Sequence, residues 1–340
     1  MPDAVTLAPL YRRLKAVGFD RAFLQSAVLP DWWEDALAAN AATRSQIELH
    51  LAQRLGLPLA DLRDPHQPLT LPGTHDVRLK RATSAAKRGD IAPGMIVARR
   101  TAQIVLPHLR DVPPLPAHLN IRDLRLWILA RHRAVDLPAL LDAAWAHGIA
   151  VFHFSPLPLA GRKFAGMAYY EDKRPIVILA TGYDAPPRVA FYLAHEIAHI
   201  LRGHVKPGGA MLADADFDRR AEDKEEREAD GDALELLTGE RQPAFPTIYG
   251  MTAAKLAPKA RAYEREHRVH AGTVALIYGK TANRMPVAIQ ALKLMNMDTG
   301  ARRLISDALR RRIFVEEAGL DPAAAVPSEV LEVLPVFGAE

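Results

Sequence analysis

The chain has 340 residues, long enough for two or three domains and a sizeable core. Hydrophobic residues make up 49% and charged residues 25%, a globular balance, and a formal net charge of +4 does not by itself demand a nucleic-acid partner. The chain has no cysteine, so disulfides and thiolate metal sites are excluded, and any zinc must be held by histidine and carboxylate.

The opening residues Met1 to Val5 run into a polar, basic stretch (Tyr11, Arg12, Arg13, Lys15) without the apolar centre of a secretory signal. No run of 18 apolar residues follows, so no membrane span is expected, and the cytoplasm is the expected location. Residues 1–112 read as a helical N-terminal domain broken by prolines. Between Asp31 and Leu62 helical spacing sets Ile47, Leu51 and Leu55 on one stripe, and Gly56 stops it. Gln46 to Leu62 faintly resembles the start of a helix-turn-helix. Arg63-Asp64-Pro65 interrupts it where a groove-reading second helix is needed, so that motif is read as degenerate or absent. A basic segment follows (Arg78, Lys80, Arg81, Lys87, Arg88, Arg99, Arg100) that offers phosphate contacts but fits a solvated face better. Asp111-Val112-Pro113-Pro114-Leu115-Pro116 reads as a stiff linker and a domain boundary.

A central domain is expected over residues 118–240. Helical patterns run through Trp127 and Trp145, and Gly148 ends the second. Ile149 to Phe154 is a β-type run. Phe164 to Tyr170 and Pro175 to Ala180 form a hairpin turning at Glu171-Asp172-Lys173-Arg174. Pro186-Pro187 opens a helix that Gly203, or Pro207-Gly208-Gly209, closes; an acidic helix from about Ala221 to Leu237 stops at Thr238-Gly239. Residues 241–340 read as a helical C-terminal domain punctuated by Pro286 and Gly300, with a loose tail after Asp321. The fold class is therefore α+β: mainly helical, with a sheet of about three strands packed on the Pro186-Pro187 helix.

That helix carries His195-Glu196-Ile197-Ala198-His199. Residues i and i+4 lie one turn apart on one helix face, so His195 and His199 can hold one Zn²⁺ while Glu196 deprotonates a water on it. Val189, Leu193, Ile197, Ile200 and Leu201 form an apolar stripe on the other side, which fixes the aim of the ligands. A third protein ligand is required, and the acidic helix offers Glu222, Glu225, Glu226 and Glu228. Glu226 is favoured because Asp230, at i+4, shares its face and can accept the outer N–H of a ligand histidine. His204 lies five residues past His199 and misses the His-x-x-Gly-x-x-His spacing. It is read as an oxyanion or substrate contact, or as a surface histidine. Strands beside the helix could seat an extended substrate by edge addition.

The order Trp145-Ala146-His147-Gly148-Ile149-Ala150-Val151, Gly166-Met167-Ala168, Pro175-Ile176-Val177-Ile178-Leu179, Leu193 to Leu201 and Glu226-Arg227-Glu228-Ala229-Asp230 resembles the ImmA/IrrE family of metallopeptidases over about residues 118–240. The resemblance implies a gluzincin-like core, one zinc ion on His195, His199 and Glu226, Glu196 as catalytic acid/base, and Asp230 supporting a ligand. It also implies a protein substrate, a helix-turn-helix repressor cleaved in a stress, phage-response or mobile-element circuit. Gly231-Asp232 departs from the Phe-Ala that this family often carries after Ala-Asp. Val269 to Val274 and Lys280 to Arg284 resemble the helical extension of these proteases, expected to pack over the cleft or bind substrate. The alternative readings are a DNA-binding regulator or antitoxin-like sensor built on the same scaffold, and a purely structural zinc domain. An intact Glu196 argues against the last, since a structural site has no use for a general base.

Overall fold

A computed structural model describes residues 6–71, 77–80, 86–154, 164–215, 224–314 and 326–337. Arg81, Glu222, the start of the acidic helix at Ala221 and the tail from Asp321 to Ala325 lie outside the described residues.

The chain begins with helices α1 (Ala8–Ala16), α2 (Arg21–Phe23), α3 (Ala41–Leu55) and α4 (Leu59–Arg63). Asn40 caps α3 by accepting hydrogen bonds from the amides of Ala42 and Thr43, and Gly56 ends it in the left-handed region. Ile47, Leu51 and Leu55 are fully buried along one face of α3. The span from Asp31 to Leu62 thus resolves into α3 and a five-residue α4, too short to be a recognition helix.

Strand β1 (Val77–Lys80) and helix α5 (Ala86–Val105) occupy the basic segment. They are followed by α6 (Ile121–Leu129), α7 (Leu137–Ala146), β2 (Ala150–His153), β3 (Phe164–Glu171) and β4 (Arg174–Leu179). Then come α8 (Pro186–Leu201), β5 (Met211–Ala215) and α9 (Lys224–Thr238). Helices α10 (Ala253–His267), α11 (Ala271–Thr281), α12 (Met285–Leu294), α13 (Ala301–Ile313) and α14 (Ser328–Val333) complete the order.

Among the described residues the sheet has five strands, not three, in the order β1-β5-β3-β4-β2. Three of them, at one side of the sheet, are those expected: β3 and β4 form an antiparallel hairpin closed at Glu171↔Arg174, and β2 runs parallel to β4 at the edge. Asp172 takes the positive φ that this tight turn requires. The two extra strands are short. β5 pairs antiparallel with β3, and β1 pairs parallel with β5. Neither has the run of β-branched residues that marks β4, so their pairing partners, not their own sequences, make them strands.

One hydrophobic cluster runs from the N-terminal helices (Leu14, Ile47, Leu51) through the sheet and α8 (Phe152, Ile178, Ile197) to α13 and α14 (Ile305, Leu309, Val330). Helices α10 to α12 close around a second cluster that includes Leu256, Val274, Tyr278 and Leu292. Among the described residues no helix is long and apolar enough to cross a membrane.

Helix α9 lies across α8, and an ion cluster around the buried Asp232 carboxylate fastens the two. The Asp232 carboxylate accepts hydrogen bonds from Arg202 Nε at 2.5 Å and Nη2 at 2.7 Å, and also from Arg241. Gly231 leaves the room this needs: a Cβ there would lie 2.6 Å from the Arg241 guanidinium. The departure at Gly231-Asp232 thus has a local cause, because these two residues accommodate and pair Arg241. Burial alone would raise the Asp232 carboxyl, but the two arginines outweigh it and hold the group below its ordinary 3.8. A carboxyl depressed in the folded state stabilises fully above its unfolded value and loses that contribution as pH falls through the folded one. Asp232→Asn should therefore cost about 1.5–3 kcal/mol at pH 7, the range for a half-solvated charged cluster that loses its acceptor. Urea unfolding of both proteins should show the gap narrowing as pH falls below about 4, where the carboxyl of the unfolded chain takes up its proton before that of the folded one. A gap independent of pH would contradict this account.

Candidate metal centre

Pro186 and Pro187 start α8, where missing amide protons cost nothing. Val189, Leu193, Ile197 and Ile200 pack inward, with Leu201 packed at the edge of the same core. The second half of the helix is buried all round, because α9 covers the face opposite the sheet. His195, Glu196 and His199 are each no more than 2% exposed.

From the first turn of α9, Glu226 reaches into this interface, itself 1% exposed. The Nε2 atoms of His195 and His199 stand 3.0 Å apart. Glu226 Oε2 lies 3.4 Å from the first, and Oε1 3.3 Å from the second. Four-coordinate zinc with bonds of about 2.0–2.1 Å places its ligand atoms roughly 3.3–3.4 Å apart. His195, His199 and Glu226 thus form a triangle of side chains whose nearest contacts are close to that spacing, with nitrogen and carboxylate chemistry that suits zinc. Among the described residues this is the one group of three His, Asp or Glu side chains close enough to share an ion. Burial works against the charge of Glu226, but its contacts with the two imidazoles outweigh that and hold the carboxyl far below the usual range.

Asp230 Oδ1 lies 3.0 Å from His195 Nδ1, the ring nitrogen facing away from the triangle. A proton there fixes the tautomer that leaves the Nε2 lone pair directed at the triangle. The structure thus brings His195, His199, Glu226 and Asp230 together. Glu225 is not part of the triangle. His204 Nδ1 is 2.9 Å from His199 Nδ1, the ring nitrogen that faces away from the triangle. Glu228 Oε2 lies 3.6 Å from the other nitrogen of His204.

Glu196 is held against β3. A Cβ on Gly166 would fall 2.3 Å from Glu196 Oε1, so only glycine lets this strand pass so close to the carboxylate. The sequence signal was present, since an interior strand glycine marks a close approach, but it did not name the partner. Gly166 is paired on both sides, with Leu179 of β4 and Asp214 of β5. An extended substrate therefore finds no open edge on β3. The outermost strands are β1 and β2, and α13 packs on β2. The C-terminal extension packs on the start of α8, where Gly272 closes on Pro187, some twelve residues or about 18 Å along the helix from His199.

A peptidase family model described as the IrrE N-terminal-like domain matches residues 145–252. The matched span opens at the end of α7 and closes just before α10, so it contains the whole His195–His199–Glu226 triangle and omits α6. Neither the curated proteins nor the solved structures yield a match to the chain. Residues 145–252 thus carry a peptidase-type domain, similar to the IrrE N-terminal-like domain, with a His/His/Glu cluster that can hold a metal ion.

Proposed function

We propose that the chain is a zinc-dependent endopeptidase of the ImmA/IrrE kind, with the gluzincin ligand set His195, His199 and Glu226. Its substrate in this reading is a regulatory protein, and the resemblance points to a helix-turn-helix repressor in a stress, phage-response or mobile-element circuit. The carrying observation is the buried triangle of two imidazoles and a carboxylate: the imidazole nitrogens are 3.0 Å apart, and each lies 3.3 or 3.4 Å from one of the two carboxylate oxygens. Next to it stands a second carboxylate, Glu196, that is not one of its corners. A site built only to hold a metal has no need of that extra base.

Zinc bound here would polarise the scissile carbonyl and bring the pKa of its water to about 7. Glu196 takes the proton from the attacking water and returns it to the leaving amine. Gly166 keeps the Glu196 carboxylate in place by leaving it space. Asp230 holds the His195 ring in the tautomer that offers its lone pair. Burial of the triangle excludes bulk water, which strengthens each of these electrostatic contacts.

Three measurements test the reading on the full chain. Metal analysis should find one zinc per chain, lost in His195→Ala. Glu196→Gln should retain the zinc and lose about 10²- to 10⁴-fold in cleavage of a repressor encoded beside this chain, the usual worth of a general base. Equal cleavage by wild type and Glu196→Gln would refute the assignment. Gly166→Ala pushes on the far end of a flexible side chain, so melting should shift by only a few degrees while cleavage falls at least about tenfold. Unchanged cleavage in that variant would show that Glu196 does not work from the position beside β3.

A further inference from the structure

We propose that His204, backed by Glu228, is the positioning partner of the ligand His199, and that the terminator of α8 delivers it there. The proposal rests on the metal-site reading above and adds residues that the reading does not assign.

The terminator comes first. Arg202 is the C-cap of α8, and Gly203 follows with φ +70. The Gly203 amide donates to the Ile200 carbonyl at 3.0 Å, and the His204 amide donates to the His199 carbonyl at 3.0 Å. This pair of bonds is a Schellman motif. It folds the residue after the glycine back over the residue five positions earlier, a contact that is ordinarily apolar. Here both positions are histidines. The rings meet at 5.0 Å between centroids and 61° between planes, with the two Nδ1 atoms 2.9 Å apart.

Proton placement follows from the geometry. If His199 directs its Nε2 lone pair into the triangle, its proton sits on Nδ1 and is donated to His204. His204 Nδ1 must then be an acceptor, so its own proton sits on Nε2, the nitrogen 3.6 Å from the Glu228 carboxylate. Lys224 Nζ lies 3.8 Å from the other oxygen of Glu228. The two ligands are therefore supported differently. His195 leans directly on the carboxylate of Asp230, whereas His199 leans on an imidazole that in turn leans on a carboxylate. His204 has a side chain only 9% exposed, so water competes little for this bond.

The test is metal affinity, with no substrate needed. Metal-free full-length protein is titrated with Zn²⁺ against a chromophoric chelator, and with Co²⁺ for its visible ligand-field bands. His204→Leu keeps the apolar contact usual for the motif and so preserves the helix end, but removes the acceptor. It should bind Zn²⁺ about 10- to 100-fold more weakly, the range for lost outer-shell partners, and alter the Co²⁺ bands. His204→Asn places a carbonyl oxygen near the lost Nδ1 and should restore affinity to within about threefold. Wild-type affinity in His204→Leu overturns the proposal, as does a loss that His204→Asn fails to restore. A folded wild type that binds no zinc overturns the metal reading itself, a different result from failure at His204 alone.

Discussion

The packing of α9 across α8 is the constraint on which the rest depends. It takes a carboxylate, Glu226, out of water and sets it between two imidazoles. A buried, uncompensated carboxylate costs several kcal/mol, so this interface holds only if the charge is answered. A metal ion shared with His195 and His199, whose Nε2 atoms lie 3.4 and 3.3 Å from the carboxylate, would answer it. The cluster of Arg202, Asp232 and Arg241 answers a second requirement, that the helices not slide. A one-residue shift of α9 would turn Glu226 by about 100° and carry it away from both rings. Arg202 begins the turn after α8 and Asp232 lies six residues beyond Glu226, so the ion cluster and the ligand triangle pin the same two helices at separate points.

The sheet sets the remaining coordinate. Helix α8 packs on β3 and β4, and Gly166 lets β3 approach Glu196 until backbone and carboxylate nearly touch. The neighbouring strands are then drawn from distant parts of the chain. β5 follows α8, and β1 precedes the proline linker. An extended peptide that paired with β3 would have to take the place of β5, whose antiparallel direction is already that of a strand added to this edge.

The difference between what was legible and what was not follows sequence distance. The pentad, its apolar stripe, the hairpin and the helix ends at Pro186, Gly203 and Gly239 are local patterns, readable because helix and strand periods act within a few residues. Asp230 was legible for the same reason: it stands four residues after Glu226. β1 is not legible as a strand, because Val77-Arg78-Leu79-Lys80 is too short to show alternation against its basic surroundings. β5 has no signal of its own. The ion cluster joins Arg202 to an acid thirty residues on, and nothing local predicts that pairing. His204 is the instructive case. Counting along the chain ruled it out as a ligand, but its place is set by the backbone turn at Gly203, which directs it behind His199 and not into the triangle.

The polarity of the two helices favours this particular distribution of charge. Glu226 lies in the first turn of α9, where unpaired amides give the helix end a partial positive charge. His199 lies in the last turn of α8, at the carbonyl end of the helix, which carries the opposite sign. A carboxylate at the first and a cation at the second are each favoured by about 0.3–1 kcal/mol, and by more where water is scarce. The triangle is formed where these two ends meet. A dication seated on it would face the carbonyl end of one helix and a carboxylate stabilised by the amide end of the other. Exchanging the ligands, with the acid on α8 and the histidine on α9, would set both dipoles against the charges they hold. Antiparallel strands and apolar packing bring the helices together, but the direction of each helix decides which of them can carry the carboxylate.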